Sequence, residues 1–193
     1  MTQVLIDLSR KYTSTEFENL KLPDDGQYEL VEGKIVMAPS AGDEHNTIGL
    51  ELCTRIKIFI QSKKLGKVWY ETDFMLDENN TRRPDVAFIV HDRVPPTGKS
   101  SVPIPPDLAV EVWSGSDLDT KKEREDARAK IQLYQDTGVR LIWAINPRNK
   151  TVLVFHPDTT DNPIELNAND EIDGENVIPG FRLAIKTLFE YEY

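Results

Sequence analysis

Asp85 and Glu111 stand at the ends of two short, otherwise apolar runs, RRPDVAFIV (82–90) and PPDLAVEVW (105–113). Consecutive strands joined without a crossover helix commonly run antiparallel, and side chains alternate along each strand. A register that sets Ala87 opposite Ala109 then sets Asp85 opposite Glu111, so two acids and two alanines share one face. Two carboxylates that close repel each other unless a proton or a cation neutralises them. All-oxygen ligation with open positions suits Mg²⁺ or Mn²⁺, which keep waters and accept phosphate oxygens. Such an ion can polarise a phosphoryl oxygen, activate a water and stabilise a leaving alkoxide, which is the chemistry of phosphodiester hydrolysis. The competing reading has Asp85 capping the turn after Pro84 and Glu111 in a surface ion pair.

Lys130 is the candidate cation. Ala127, Ile131 and Tyr134 form an apolar stripe at helical spacing, and Lys130 lies on its edge, facing the sheet more than the solvent. An ammonium there can hold a scissile phosphate or orient a nucleophilic water. The alternative is an Asp126–Lys130 pair at i,i+4 on a solvated face. Tyr134 reads as core, with its hydroxyl available to support Lys130.

The elements that must position these residues follow from periodicity and punctuation. Thr13–Leu20 has capping-box spacing at Thr13 and Glu16 and predicts a short helix. PDDG (23–26) is a turn, and Tyr28–Val31 with Lys34–Met37 predicts a hairpin tipped by Glu32 and Gly33. Ile48, Leu52, Ile56 and Phe59 or Ile60 recur at helical spacing, so a long helix runs from His45 to Leu65. Val68–Leu76 alternates as one strand, Asp85–Val90 is an interior strand, and Arg93–Pro106 is a loop. Leu108–Trp113 is a strand and Asp119–Thr137 a helix stopped by Gly138. Val139–Ile145 and Thr151–Phe155 flank NPRNK as a hairpin, and the tail adds a strand or two and a helical turn. The result is an α/β (α+β) fold: an αβββαβ core over about 45–156, a mixed sheet flanked by helices, an N-terminal hairpin and C-terminal strands. One domain over 1–193 suits the length.

Composition narrows the setting. The net charge of −10 argues against broad attraction to nucleic acid, though a local basic surface or a metal site reversing the local field remains open. Arg82 and Arg83 precede Asp85, and Lys121, Lys122, Arg124 and Arg128 crowd the helix of Lys130, interleaved with acids. The single Cys53 excludes an intramolecular disulfide and thiolate zinc sites, and reads as a buried thiol. No apolar run approaches the roughly 20 residues of a membrane span. The N-terminus lacks a secretory pattern, so a cytoplasmic location is expected.

RRPDVAFIV followed by DLAVEVWS resembles the PD-(D/E)XK nuclease superfamily. The chain is similar, from about Tyr28 to Phe189, to its Uma-two-like family of bacterial proteins assigned as restriction endonucleases. The resemblance covers YELVEGKIV, His45, PDVAFIV, PDLAVEVWSGSD, KIQLYQDTGVRLIWAINP and IPGFRL. It implies a restriction-endonuclease-like fold, dependence on Mg²⁺ or Mn²⁺, and cleavage of DNA, double-stranded by expectation. By position it makes Asp85 and Glu111 the metal ligands. One residue departs from the pattern: the superfamily lysine expected two residues after the glutamate is Trp113 here, and Lys130 in KxxxY is the candidate replacement. Glu29 and His45 match N-terminal motifs of the family, Glu29 as a further acid and His45 as a phosphate contact or proton carrier; each can instead be structural. A homodimer is expected, since a two-fold assembly presents two sites to two strands. Two rivals remain: a catalytically silent member that binds nucleic acid or protein, favoured by Trp113 and the acidic balance, and an interaction domain that never meets nucleic acid.

Overall fold

The chain is described by a computed structural model over residues 6–38, 40–96, 98–114, 118–157, 159 and 161–190. Gly115–Asp117, at the end of the PDLAVEVWSGSD motif, fall outside the described residues.

Thr13 opens helix α1 (Ser14–Glu18) with the expected capping box: its hydroxyl accepts from Glu16 N, and the Glu16 carboxylate accepts from Thr13 N. Strands β1 (Gln27–Val31) and β2 (Lys34–Ala38) form the N-terminal hairpin. They turn on Glu32 (φ 50°) and Gly33 (φ 80°), both positive as a two-residue type I′ turn requires. Helix α2 (Asp43–Gln61) follows, and Ile48, Leu52 and Ile56 are its buried stripe, as the periodicity predicts.

The next stretch differs from expectation. Instead of one strand over Val68–Leu76, the chain makes β3 (Gly66–Tyr70), leaves the sheet at Glu71, and resumes as β4 (Phe74–Met75) in another sheet. Glu71 has φ 40°, and the Thr72 hydroxyl donates to Tyr70 O at 2.9 Å, so backbone and side chain together turn the strand aside. Strand β5 (Thr81–Arg82) then pairs with β4 and β1, giving a small sheet of order β2-β1-β5-β4.

The core elements are β6 (Val86–Val90), β7 (Leu108–Val112), helix α3 (Lys121–Asp136) and β8 (Leu141–Asn146). A 3-10 turn at His91–Arg93 leads into the loop between β6 and β7. With β9 (Thr151–Phe155) and β10 (Ile164–Leu166) they complete a six-stranded sheet of order β10-β9-β8-β7-β6-β3. Its β7–β8 pair is parallel, bridged by α3, and its other pairs are antiparallel. The chain ends with a separate pair, β11 (Glu171–Asp173) and β12 (Arg182–Ala184), and a 3-10 turn at Ile185–Leu188. The mixed α+β architecture is the one predicted.

Alternation along the strands divides the core. Val86, Phe88, Val110 and the fully buried Trp143 pack against α2 on one side. Ala87, Ala109 and Ala144 pack with Ile131 and Tyr134 of α3 on the other. The three alanines let α3 lie close to the sheet, which brings its polar side chains within reach of β7. No described helix is long and apolar enough to cross a membrane.

Candidate active site

Glu111, next to last in β7, sends its side chain to the α3 side. Lys130 and Tyr134 are four residues apart on α3 and so share a helical face. They grip one carboxylate oxygen each: Lys130 Nζ lies 2.7 Å from Oε2, and the Tyr134 hydroxyl donates to Oε1 at 2.7 Å. Lys130 also donates to Arg83 O at 3.4 Å and faces Glu29 Oε1 at 3.7 Å. The lysine therefore pairs inward, not with Asp126 on a solvated face. The Tyr134 hydroxyl serves Glu111 directly instead of supporting Lys130.

Asp85 reaches the same region by a different route from the one alternation predicts. The β6–β7 register is the expected one, with Val86 opposite Val110 and Ala87 opposite Ala109. Asp85 N nevertheless donates to Val110 O at 3.0 Å, so two successive residues oppose one, the arrangement of a β-bulge. Asp85 is thereby turned towards α2, whereas Glu111 faces α3, so the two acids do not share the face on which strand alternation places them. Its Oδ2 accepts from Val112 N at 2.6 Å, and its Oδ1 lies 2.9 Å from His45 Nε2. The carboxylate thus rests against the backbone amide of the residue that follows Glu111. Gly49, one turn along α2 from His45, makes room for the Tyr70 ring, which a Cβ there would meet at 3.1 Å, while Asp85 Cβ would stand at an ordinary 3.9 Å.

Glu29 arrives from the small sheet. Its Oε1 accepts from Arg83 N at 2.8 Å and its Oε2 pairs with Arg82 at 3.2 Å. Through Lys130 it joins Glu111, so all five candidates, Asp85, Glu111, Lys130, Glu29 and His45, converge on the end of β7.

The electrostatics follow from this crowding. Burial pushes the Glu111 carboxyl up to about 7, and the charge of Asp85 adds to the rise, while Lys130 and Tyr134 pull it back. Burial acts to lower the Lys130 pKa, but Glu111 and Glu29 outweigh it and the net shift is upward. Burial likewise opposes charge on His45, yet its bond to Asp85 and the charges of Asp85 and Glu111 raise its pKa. Burial also works against the Glu29 charge, and Lys130 and Arg82 overcome it, leaving the pKa lowered. The Tyr134 phenol is held well above its usual pKa, chiefly by burial and then by Glu111 and Glu29, so it remains a donor.

Whether this constellation suits a divalent ion can be judged from its donors. Each carboxylate oxygen of Asp85 and Glu111 accepts one hydrogen bond and keeps a further lone pair. His45 Nδ1 is buried without a hydrogen-bond partner, and Glu111 is a carboxylate whose charge a nearby cation would favour. Among the described residues no three His, Cys, Asp or Glu gather as a metal cage. If both acids took part in binding, the ion's remaining positions would fall to waters or substrate oxygens, the habit of Mg²⁺ and Mn²⁺. The donor set fits.

The sequence family described as "Putative restriction endonuclease", Uma2, matches residues 14–186. The chain belongs to this family. It is also similar to a solved structure titled as a putative nuclease belonging to DUF820 from Anabaena variabilis ATCC 29413, with 22% identity, a TM-score of 0.72, and coverage of 92% of this chain and 97% of that one. That likeness is one of fold. No curated protein matches the chain.

Trp113 lies two residues beyond Glu111, just past the end of β7, and the ammonium nearest Glu111 comes from α3. Sequence reading did not foresee Arg82 as the partner of Glu29. The basic residues read as DNA contacts are largely engaged at home: Arg83 in a two-point pair with Asp73, Lys121 with Glu125, Arg124 with the carbonyls of Leu118 and Asp119, and Arg128 with Asp161. Cys53 is half-buried on α2, less enclosed than expected.

Proposed function

We propose that the protein is a divalent-metal-dependent endonuclease that hydrolyses phosphodiester bonds of DNA, with Asp85 and Glu111 holding Mg²⁺ or Mn²⁺. The observation that carries the reading is the grip on Glu111, a buried carboxylate held at both oxygens by Lys130 and Tyr134 beside the Asp85–His45 pair. When bound, the ion would polarise a phosphoryl oxygen and make a coordinated water more acidic. Lys130 brings a fixed positive charge to the place where negative charge grows on the phosphate. Tyr134 and Lys130 fix the orientation of Glu111, and Val112 N fixes that of Asp85. His45 holds Asp85 through Nε2, and its raised pKa favours the imidazolium in that pair. Glu29 holds Lys130 and Arg82 in place. Family membership supports the nuclease class, and a homodimer would set two such sites against two strands.

Incubating the purified protein with plasmid and Mg²⁺ or Mn²⁺ tests the reading. Nicking or linearisation that disappears with chelator and in both Asp85→Ala and Glu111→Ala is expected; cleavage indifferent to these changes would overturn it. Trp113 at the superfamily lysine position favours a second reading, a silent member that binds nucleic acid or protein. Binding that persists without metal and without turnover would select it.

A further inference from the structure

A cleft of about 450 Å³ opens beside the site, lined among others by Glu44, Trp113, Asn146, Pro147, Arg148 and Asn149. Its walls come from the ends of the parallel strands β7 and β8 and the first turn of α2, next to His45. Trp113 N donates to Ile145 O at 2.8 Å, which fixes the tryptophan against the end of β8. Asn146 Oδ1 accepts from Asn149 N at 3.3 Å, which orients its amide group. The volume lies within the roughly 300–1,000 Å³ of small-ligand pockets.

The charge around the cleft is wrong for a phosphate. Glu44 is exposed on its rim, and Arg148 is paired with Asp119 at 2.9 Å. A half-buried indole and side-chain amides instead suit a neutral, planar group with polar edges. Trp113 lies two residues beyond Glu111, just past the end of β7, and packs against the α3-side cluster that Glu111 also faces, so the two stand about 7 Å apart. That is the reach from a phosphate to the base of the same or the adjoining nucleotide.

We infer that this cleft receives one unpaired base of the strand whose phosphate lies at Glu111 and Lys130, stacked on Trp113. The preferred substrate is then single-stranded or locally unpaired nucleic acid, because a base within a continuous duplex cannot enter the cleft without leaving its stack. This inference rests on the nuclease reading.

The test is fluorescence anisotropy with the full chain at low salt, with Ca²⁺ present as a hard, oxygen-seeking ion. Labelled single strands, the matching duplex, and single strands carrying abasic positions are compared across wild type, Trp113→Leu and Trp113→Phe. Leucine keeps an apolar contact without the aromatic face, and circular dichroism with urea unfolding checks that the variants fold. The expected result is tighter binding of the single strand than of the duplex, weakened about tenfold by Trp113→Leu and by abasic positions, and restored by Trp113→Phe. Equal binding of single strand and duplex, or binding indifferent to Trp113→Leu, would overturn the inference and leave the nuclease reading standing. Failure of wild type to bind any of these nucleic acids would overturn both.

Discussion

Replacing Glu111 by glutamine should change how stability depends on pH. The Glu111 carboxyl is raised from its ordinary 4.5 to about 7, so the folded protein holds that proton more tightly than the unfolded chain does. The resulting stabilisation is fully present below about pH 4.5 and is withdrawn as pH rises through about 7. At 1.36 kcal/mol per unit, the loss across that window is about 3 kcal/mol. Glutamine does not titrate, and it fits the same space: its oxygen accepts from Lys130 while its NH₂ donates to the Tyr134 hydroxyl, which reverses its role. Stability of the Glu111→Gln variant relative to wild type should therefore rise by about 3 kcal/mol between pH 4.5 and 8. Urea unfolding at several pH values, without divalent ions and followed by tryptophan emission, to which the fully buried Trp143 contributes, measures the difference. A flat or falling difference profile would refute the claim that Glu111 sits in a proton-retaining pocket.

Other outcomes follow from the same contacts. Lys130→Met should lower plasmid cleavage by about a hundredfold or more while Mg²⁺ still binds; cleavage at the wild-type rate would remove Lys130 from the reaction. Tyr134→Phe deletes the bond to Glu111 Oε1 and should cost about 1.5–3 kcal/mol in urea unfolding above pH 7, where Glu111 is charged; an unchanged midpoint would count against the bond. Mg²⁺ binding should release protons and strengthen as pH rises towards 7, because a proton on Glu111 competes with the ion; calorimetry in two buffers of different ionisation enthalpy reads the release directly, and none would place the ion elsewhere. Glu29→Gln leaves Arg82 and Lys130 short of a counter-charge and should destabilise by about 3 kcal/mol at neutral pH, checked by the same unfolding assay; a change under ~0.5 kcal/mol would mean that the pair is solvated.

Much of the site was readable because it is written in short-range periodicity. The alanines at 87 and 109 fixed the strand register, and the stripe of Ala127, Ile131 and Tyr134 turned Lys130 towards the sheet. Three features escaped for physical reasons. The bulge at Asp85 follows from Pro84, which has no N–H to extend the ladder, but the sequence does not say which way the freed side chain turns. Glu71 adopts a left-handed conformation that its residue type does not announce, so an alternating run over Val68–Leu76 reads as one strand although it feeds two sheets. Tyr134 and Arg82 carry ordinary core and surface signals, and their partners, Glu111 and Glu29, are 23 and 53 positions away.

Supplying the cation from α3 instead of β7 has a structural consequence. A lysine two residues beyond Glu111 would approach the carboxylate along the strand and fill the space at the strand end. From α3, Lys130 descends from above the sheet, and Tyr134 one turn later takes the other oxygen, so a single helical face fixes both the charge and the orientation of the acid. In the proposed site, the position two residues beyond Glu111 then need carry no charge. Trp113 fills it with an aromatic surface at the mouth of a cleft, next to the place where a phosphate would lie. If the proposed function and the base-binding inference both hold, placing the charge on the helix and leaving an aromatic recess beside Glu111 are one change seen from two sides. A double substitution that returns lysine to position 113 and removes it from 130 separates them. Cleavage should recover relative to Lys130→Met alone, while the preference for unpaired strands should disappear; recovery of both would show that the indole has no part in selecting the substrate.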